Sequence, residues 1–373
     1  MFRILCVFSI VVLAEDVVLA QNTQIAQNIA VEAHEWDELL QNPEGWLAAD
    51  GIYSVQIPNT KKILFLFSDT LVGTTRNDGQ DFDHFRLVNH SMALMDGNSP
   101  EKSRIRFLYD ENRNLLGYRC WLQDGTIFKG RLWMSGLIFD SKTWKPERVD
   151  AVSVGLKEGG IPDFADVKID TTAPLSKRIE NMQAVFGCAI LENSEEDGYT
   201  YVYGYLDHFL EMSRKDLIVA RVKEEKFDDF SAWEFYDGTA WHAEMDCVFR
   251  DRAGLTRGVS PELSVSQIPS GPYAERFLLV YTPGGISPQL AYRVGETPVG
   301  PFSKPVVFYT SDVPTAAQNA VQCYNGKGHP ALSTDEALLV SYNVNRLGAL
   351  AKRPSEYRPC FVWLKYADLT VRE

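Results

Sequence analysis

Short β-strand patterns recur along the whole chain, and this repetition constrains the fold more than any other feature of the sequence. Five units follow one another, each with apolar or alternating runs rich in Tyr, Phe and Val between Gly, Pro, Asp and Asn. The clearest segments, unit by unit, are DGIYSVQI, ILFLFSDT and SMALMDG; DGTIFKG, RLWMSGLIF and AVSVGL; NMQAVFGCAILE, GYTYVYGY, LIVARV and WEFYDG; PELSVSQI, RFLLVYT, QLAYRV and PVVFYT; GHPALST, ALLVSYNVN and FVWLKY. Helical periodicity is scarce, so the sequence predicts an all-β protein.

The number of units favours radial repetition over a two-sheet sandwich, which is the structural alternative. More than fifteen strands without a linker would strain a sandwich, whereas a propeller arranges them without long exposed edges. We therefore predict a five-bladed β-propeller of four-stranded antiparallel blades over residues 45–373. Because the last unit shows only three clear strands, a strand from elsewhere in the chain should complete it and close the ring.

The N-terminus has the pattern of a secretory signal peptide. Residues 1–20 combine a short basic start, an apolar stretch from Ile4 to Ala14 and a small Ala20 before Gln21. Glu15 and Asp16 fit this pattern less well, and a cytosolic strand or helix is the alternative. We predict a secreted or periplasmic protein in which residues 21–44 form an N-terminal segment. No later segment is apolar over the length of a membrane span, so no membrane insertion is expected.

Charge and cysteine content exclude several classes of function. The net charge of −13 argues against binding to a nucleic-acid backbone. The five cysteines after residue 20 are widely spaced and include no CxxC pair, so neither a disulfide framework nor a zinc site is indicated. The sequence also lacks a Gly-rich phosphate loop, a GxSxG elbow and an HExxH motif. We expect a monomer.

Polar residues stand near the start of the first strand in each unit. In a propeller these strands line the central channel, so their polar side chains should converge at one end of it. The residues are Asp50, Asp124, Asn181 beside Glu180, Glu262 and His329. Each one alone could equally be an ordinary turn residue.

The first hairpin places two acids opposite each other. If Asn59 and Thr60 form the turn tip, the numbers of paired residues sum to 119, and Asp50 opposes Asp69. Opposed residues have Cβ atoms roughly 4.5–5.5 Å apart, where like charges destabilise a sheet. Repulsion would leave one acid protonated and the other ionised, as a glycosidase requires. The alternative is that both aspartates cap turns.

The second strands of the other units show that this pairing is particular to the first unit. Aligned with Asp69 they carry Tyr205, Pro283 and Asn343, none of which is an acid.

The same motifs resemble a known group of enzymes. DGIYSVQI, LFLFSDTLVG, VNHSMAL, VSPELSV and GPFSKPVVFY are similar to segments of the five-bladed propeller glycosidases, in particular the domain of unknown function 4185 family, which includes secreted endo-D-arabinanases. More distantly the chain resembles the furanosidase propellers of glycoside hydrolase families 43 and 32. The resemblance implies a glycan substrate and catalytic acids in the first blade, here Asp50 and Asp69. SDT and NHSMAL depart from the expected GDT and NNS, which affects the expected substrate preference.

Other residues are candidates for the same site. Glu262 is a candidate third catalytic acid, with a cation-binding or structural role as the alternative. His329 could bind a metal or water, but a hydrogen-bonded channel histidine is favoured. Candidate substrate-binding residues are Asn89, His90, Trp121, Asp124, Asn181, Trp241, His329 and Asn343, and Tyr324 is a further aromatic that could stack on a sugar.

A glycosidase with paired carboxylates requires no redox or nucleotide cofactor, and we assign no metal-ligating residue. The acids and amides of the channel could hold a structural Ca²⁺ or Na⁺, because oxygen ligands suit hard cations. Two functions remain open: a glycoside hydrolase with paired carboxylates, and a lectin-like propeller that binds a carbohydrate or a cation without turnover.

Overall fold

A computed structural model describes residues 29–110, 114–140, 146–192, 196–211, 214–312, 321–346 and 353–372. Within these ranges the protein is built from β-strands, with one short α-helix, α1 (His34–Leu39), and several single 3-10 turns. The all-β prediction is therefore confirmed. The predicted signal peptide, residues 1–20, lies outside the described residues. In the described part of the chain, none of the helices has the length and apolar character needed to cross a membrane.

Five antiparallel sheets of four or more strands account for most of the described chain. Sheet I contains β3 (Ile52–Gln56), β4 (Lys62–Phe67), β7 (Ser91–Asp96) and β8 (Ile105–Leu108), in that spatial order. Sheet II contains β9 (Trp121–Phe128), β10 (Arg131–Phe139), β11 (Pro146–Lys157) and β12 (Ile161–Asp170). Sheet III contains β13 (Ser176–Ile179), β14 (Met182–Glu192), β15 (Tyr199–His208), β16 (Lys215–Lys223), β17 (Glu234–Tyr236) and β18 (Trp241–His242).

The remaining strands form sheets IV and V and a smaller accessory sheet. Sheet IV contains β19 (Leu263–Gln267), β20 (Phe277–Tyr281), β21 (Gln289–Gly295) and β22 (Val306–Thr310). Sheet V contains β23 (Val321–Gly328), β24 (Ala337–Arg346), β25 (Pro359–Lys365) and β1 (Val31–Glu32). The accessory sheet, which the sequence did not predict, contains β2 (Glu44–Ala49), β5 (Thr70–Arg76) and β6 (Asp81–Val88) in the order β2-β5-β6.

Apolar cores join the five sheets in a closed cycle. One core lies between sheets I and II, a second joins sheets II, III and IV, a third lies between IV and V, and a fourth between V and I. Strands β3, β9, β14, β19 and β23, called the inner strands below, each contact the inner strand of the next sheet as far as β23. His329, just after β23, completes the cycle by hydrogen-bonding Ser54 of β3 (3.1 Å).

Strand β4 shows why runs such as KILFLF contain no polar face. Ile63, Phe65 and Phe67 pack toward sheet V, whereas the intervening Leu64 and Leu66 pack toward sheet II. Successive side chains of a strand point to opposite faces, and both faces of this strand are covered. A continuous apolar run is therefore what a sheet held between two others requires.

The missing strand of the last unit comes from the N-terminal segment. Val31 and Glu32 of β1 pair with Trp363 and Val362 of β25, which completes sheet V as the sequence predicted. Helix α1 follows directly and packs on β25. The predicted boundary at residue 45 is therefore wrong, because β1 and α1 belong to the same cycle of packed sheets.

Candidate active site

Asp50 and Asp69 lie where the first hairpin passes from sheet I into the accessory sheet. Ile52 pairs with Phe67 in sheet I and Ala49 pairs with Thr70 in the accessory sheet, so the predicted sum of 119 is confirmed on both sides of the acids. The Asp50 N–H donates to the Asp69 carbonyl (3.1 Å). The two acids therefore face each other across the hairpin.

Gly51 makes room for this junction. Its φ of +51° lies in the left-handed region, and an added Cβ would stand 3.0 Å from Ser68 Oγ and 3.3 Å from Glu262 Oε1. The backbone conformation favours glycine, and a Cβ would make tight contacts with both side chains. The same distances show that the Glu262 carboxylate reaches the residue next to Asp50.

The Asp50 carboxyl turns toward sheet V. Tyr324 donates its hydroxyl to Asp50 Oδ2 (3.1 Å), and Tyr357 hydrogen-bonds the same carboxyl. Burial raises the pKa of Asp50 well above its usual range, and the charges of Asp69 and Glu262 raise it further. Asp50 is therefore the acid of the pair that holds its proton.

The Asp69 carboxyl turns toward sheet II. Trp121 Nε1 donates to its Oδ1 (3.0 Å), and Asn89 Nδ2 lies 3.4 Å from the same oxygen. Burial raises the pKa of Asp69 to about 6, against these hydrogen bonds and the Arg119 charge, which lower it. At neutral pH the site therefore combines a protonated Asp50 with an ionised Asp69.

Replacing Asp69 by Asn should stabilise the protein at pH 8 and not at pH 4. Because burial raises the carboxyl pKa from 3.8 to about 6, ionisation of Asp69 destabilises the folded state as pH rises through that window. Asn keeps an oxygen acceptor for Trp121 and carries no charge. We expect a gain of about 3 kcal/mol in the free energy of unfolding at pH 8, measured by urea denaturation.

The control for this experiment is Asp170→Asn. Hydrogen bonds from Thr172 lower the pKa of Asp170, so this substitution should produce no stabilisation at pH 8. Equal changes for Asp69→Asn at pH 4 and pH 8 would contradict the assignment of a buried, ionising Asp69.

Glu262 is paired with a buried cation. The ammonium of Lys327, on β23, donates a hydrogen bond to Glu262 Oε2 and lies over the Tyr53 ring, 4.4 Å from the ring centroid. The side chain of Lys327 is 1% exposed and that of Glu262 16% exposed. The third candidate acid is therefore part of an ion pair beside Asp50.

Asp124 hydrogen-bonds the backbone of two neighbouring strands. Its two oxygens accept the backbone N–H groups of Gly125 (2.9 Å) and Ile190 (2.7 Å). Burial raises its pKa to about 7. Because Ile190 lies on the next inner strand, the carboxyl links sheets II and III, and we assign it no contact with a substrate.

Both candidate histidines use their ring nitrogens within the protein. His90 lies between the Cys120 carbonyl (3.2 Å) and the Leu116 N–H (3.2 Å), and burial lowers its pKa to about 4. His329 lies between Ser54 Oγ and Ser341 Oγ (2.7 Å), and burial lowers its pKa to about 3. Both are neutral, fully buried residues that hold neighbouring segments together.

Asn343 also hydrogen-bonds the backbone near the acids. It is fully buried and donates to the Ala49 carbonyl (3.2 Å), directly before Asp50. Asn325 lies 3.5 Å from its Oδ1. Asn343 therefore holds the start of the hairpin against sheet V.

Two predicted binding residues lie away from the acids. Trp241 is on β18, which is separated from the inner strand β14 by three strands, or roughly 19 Å across the sheet. There it packs on Tyr236 and under the Arg221 guanidinium. Asn181 is exposed in the turn between β13 and β14, and no described contact joins it to the acids. These positions do not support the prediction that Trp241 and Asn181 bind substrate beside the acids, and it stays a prediction.

The sequence reading missed three residues of this site: Tyr53, Lys327 and Tyr357. Tyr357 stands in an irregular segment before β25 and had no recognisable signal. The sequence did contain a signal for Lys327: this lysine stands between two glycines in an inner strand, next to buried residues. Among the described residues, no cluster of three His, Cys, Asp or Glu side chains could hold a metal ion, and a cation in the channel stays a prediction.

Comparisons with known proteins support the fold and correct the family. The model of the family described as Domain of unknown function (DUF5005) matches residues 33–366. The predicted membership of the domain of unknown function 4185 family is therefore wrong. No curated protein matches the sequence.

Among solved structures, a "putative hydrolase" from Bacteroides ovatus superposes with a TM-score of 0.68 at 16% identity, over 90% of this chain and 89% of that one. A GH43_1 enzyme from Xanthomonas citri superposes with a TM-score of 0.48 at 14% identity, over 92% of this chain and 94% of that one. At such identities, the first of these similarities shows a shared fold.

Proposed function

The chain belongs to the family described as Domain of unknown function (DUF5005), and we propose that it is a glycoside hydrolase with the fold of a five-bladed β-propeller. Sheets I to V would be the blades, and the inner strands would surround the central channel. The observation that carries the proposal is the pair Asp50 and Asp69, opposed across one hairpin in surroundings that protonate one acid and ionise the other. The fold neighbour named as a hydrolase is consistent with it.

The two acids would divide the chemistry of glycosidic cleavage. Asp50 would donate its proton to the leaving glycosidic oxygen, since it is the group that stays protonated. Asp69 would act from the opposite side, as a nucleophile or as the base that activates a water. Glu262, held by Lys327, would supply a fixed negative charge that keeps the proton on Asp50.

The neighbours of the acids suit a carbohydrate. Tyr324 and Tyr357 hold Asp50, and Trp121 and Asn89 hold Asp69. Aromatic side chains pack on the apolar faces of sugars, and amides and hydroxyls bind their hydroxyl groups. We propose a poly- or oligosaccharide substrate, with arabinan-like furanosides as the first class to be tested.

A polysaccharide screen tests this proposal. Plant, algal and bacterial polysaccharides, including arabinans, would be incubated with the wild-type protein and with Asp50→Asn, and new reducing ends would be measured. Binding of the same polysaccharides would be measured by affinity electrophoresis. Product with wild type alone supports the hydrolase. Binding by both proteins without product would favour a lectin-like propeller and contradict the proposal.

A further inference from the structure

Lys327 is a buried ammonium in the middle of the molecule. Its side chain is 1% exposed, and its ammonium pairs with the Glu262 carboxylate and lies over the Tyr53 ring, 4.4 Å from the ring centroid. A buried lysine is costly unless it is paired and hydrogen-bonded. Such a residue in a folded protein therefore points to a specific use of its charge.

Every one of the five sheets presents a titratable group to this ammonium. Tyr53 comes from sheet I, Asp124 from sheet II, Cys188 from sheet III, Glu262 from the start of sheet IV and His329 from sheet V. The positive charge favours the ionised forms of Asp124 and Cys188 and disfavours protonation of His329. Lys327 thus lies where the five sheets converge.

The backbone around Lys327 holds it against sheet IV. Gly326 donates its N–H to Thr282 Oγ1 (2.8 Å), and Gly328 donates to Ser264 Oγ (2.7 Å). A Cβ on Gly326 would stand 2.6 Å from Leu290, and one on Gly328 would stand 2.7 Å from Leu338. These close approaches fix the strand on both sides of Lys327 and direct its side chain to Glu262.

We propose that Lys327 is a positioning residue, whose ammonium fixes the Glu262 carboxylate against Gly51 and so places a constant negative charge beside Asp50. Its catalytic consequence rests on the proposed glycoside hydrolase function. Without the ammonium, the Glu262 carboxylate would have no partner for its charge among the described residues and would be free to turn away from Gly51. Asp50 would then lose the charge that helps it to keep its own proton.

A double-mutant cycle tests the pair without any substrate. The variants are Lys327→Met, Glu262→Gln and the double variant, each unfolded thermally at pH 8. Lys327→Met should lower Tm by roughly 5 °C, because an unpaired carboxylate remains buried. The double variant should recover at least half of the loss, since it has no unpaired charge.

Lys129→Met is the matched control. Lys129 pairs with Asp228 (3.0 Å) and lies over the Phe128 ring (4.7 Å), but its side chain is 60% exposed. This exposed pair should contribute little, so Tm should change by less than about 2 °C. If Lys327→Met does not fold but the double variant does, that result would still support the pair. If neither variant folds, the proposal is overturned.

Activity measurements test whether the Lys327–Glu262 pair contributes to catalysis. On a substrate found by the screen, Lys327→Met should lower kcat at least tenfold with little change in KM, and its pH profile should shift. Glu262→Gln should shift the profile as well, and adding Lys327→Met to it should shift the profile no further.

Three results separate the outcomes. Additive Tm changes in the cycle would overturn the proposal. Coupled Tm values with an unchanged kcat and pH profile would overturn the catalytic consequence and leave a structural pair. If no polysaccharide is cleaved, the hydrolase proposal fails, and the cycle alone still decides whether Lys327 fixes Glu262.

Discussion

Asp50→Asn and Asp69→Asn should each lower kcat by a factor of about 10² or more, while KM and the folded structure change little. Asn at position 50 keeps an acceptor for the Tyr324 hydroxyl but has no acidic proton to give. Asn at position 69 keeps an acceptor for the Trp121 indole but carries no charge. Steady-state kinetics on a substrate identified by the screen measure both losses.

The pH dependence of wild-type activity should also reflect the ionisation of Asp69 and Asp50. Activity should rise with pH through about 6 as Asp69 ionises, and fall at higher pH where Asp50 loses its proton. Asp69→Asn should remove the rise at about pH 6 from whatever activity remains.

Asp124→Asn is the matched control, because Asp124 lies on the inner strand β9 and burial raises its pKa as well. Asn offers one oxygen where the carboxyl accepts two backbone N–H groups, so this variant should be less stable than the wild type at pH 4, where burial leaves Asp124 uncharged. The fraction that folds should keep wild-type activity. The opposite pattern, with Asp50→Asn and Asp69→Asn destabilised but fully active, would show that these aspartates only cap turns.

Trp36→Ala should reduce the free energy of unfolding by about 3–5 kcal/mol, the largest stability effect we expect from one substitution. Trp36 is 1% exposed and packs on Phe361 of β25, with ring centroids 6.0 Å apart. Its indole N–H has no hydrogen-bond partner among the residues that the structure describes, so we expect the loss to come from packing. Urea denaturation of the wild type and the variant measures it.

Glu38→Ala is the control on the same helix, since Glu38 is exposed and should change stability by less than about 0.5 kcal/mol. A loss below about 1 kcal/mol for Trp36→Ala would mean that α1 unfolds separately from the sheets. The expected result would show that the N-terminal segment closes the cycle of sheets and contributes to its stability.

The pairing of the two acids in the hairpin could be predicted from the sequence, because it depends on residues that are close together in the chain. A short turn connects β3 and β4, so counting from Asn59 and Thr60 was enough to pair Asp50 with Asp69. The need for an extra strand in the last unit was readable in the same way, from the number of apolar runs. The accessory sheet was not, because β5 and β6 mix small, charged and exposed residues that resemble a polar loop.

The all-β class, the five repeated units, the opposed acids and the need for a closing strand could be predicted from the sequence, because strand periodicity and hairpin register are local properties. The partner of each polar side chain depends instead on how the sheets pack. Asp124, His90, His329 and Asn343 hold neighbouring segments together. Tyr357 reaches Asp50, and Lys327 reaches Glu262. Hydrogen bonds and burial across packed sheets set these roles, and some depend on contacts between residues far apart in the chain, such as Asn343 and Ala49, which are 294 positions apart.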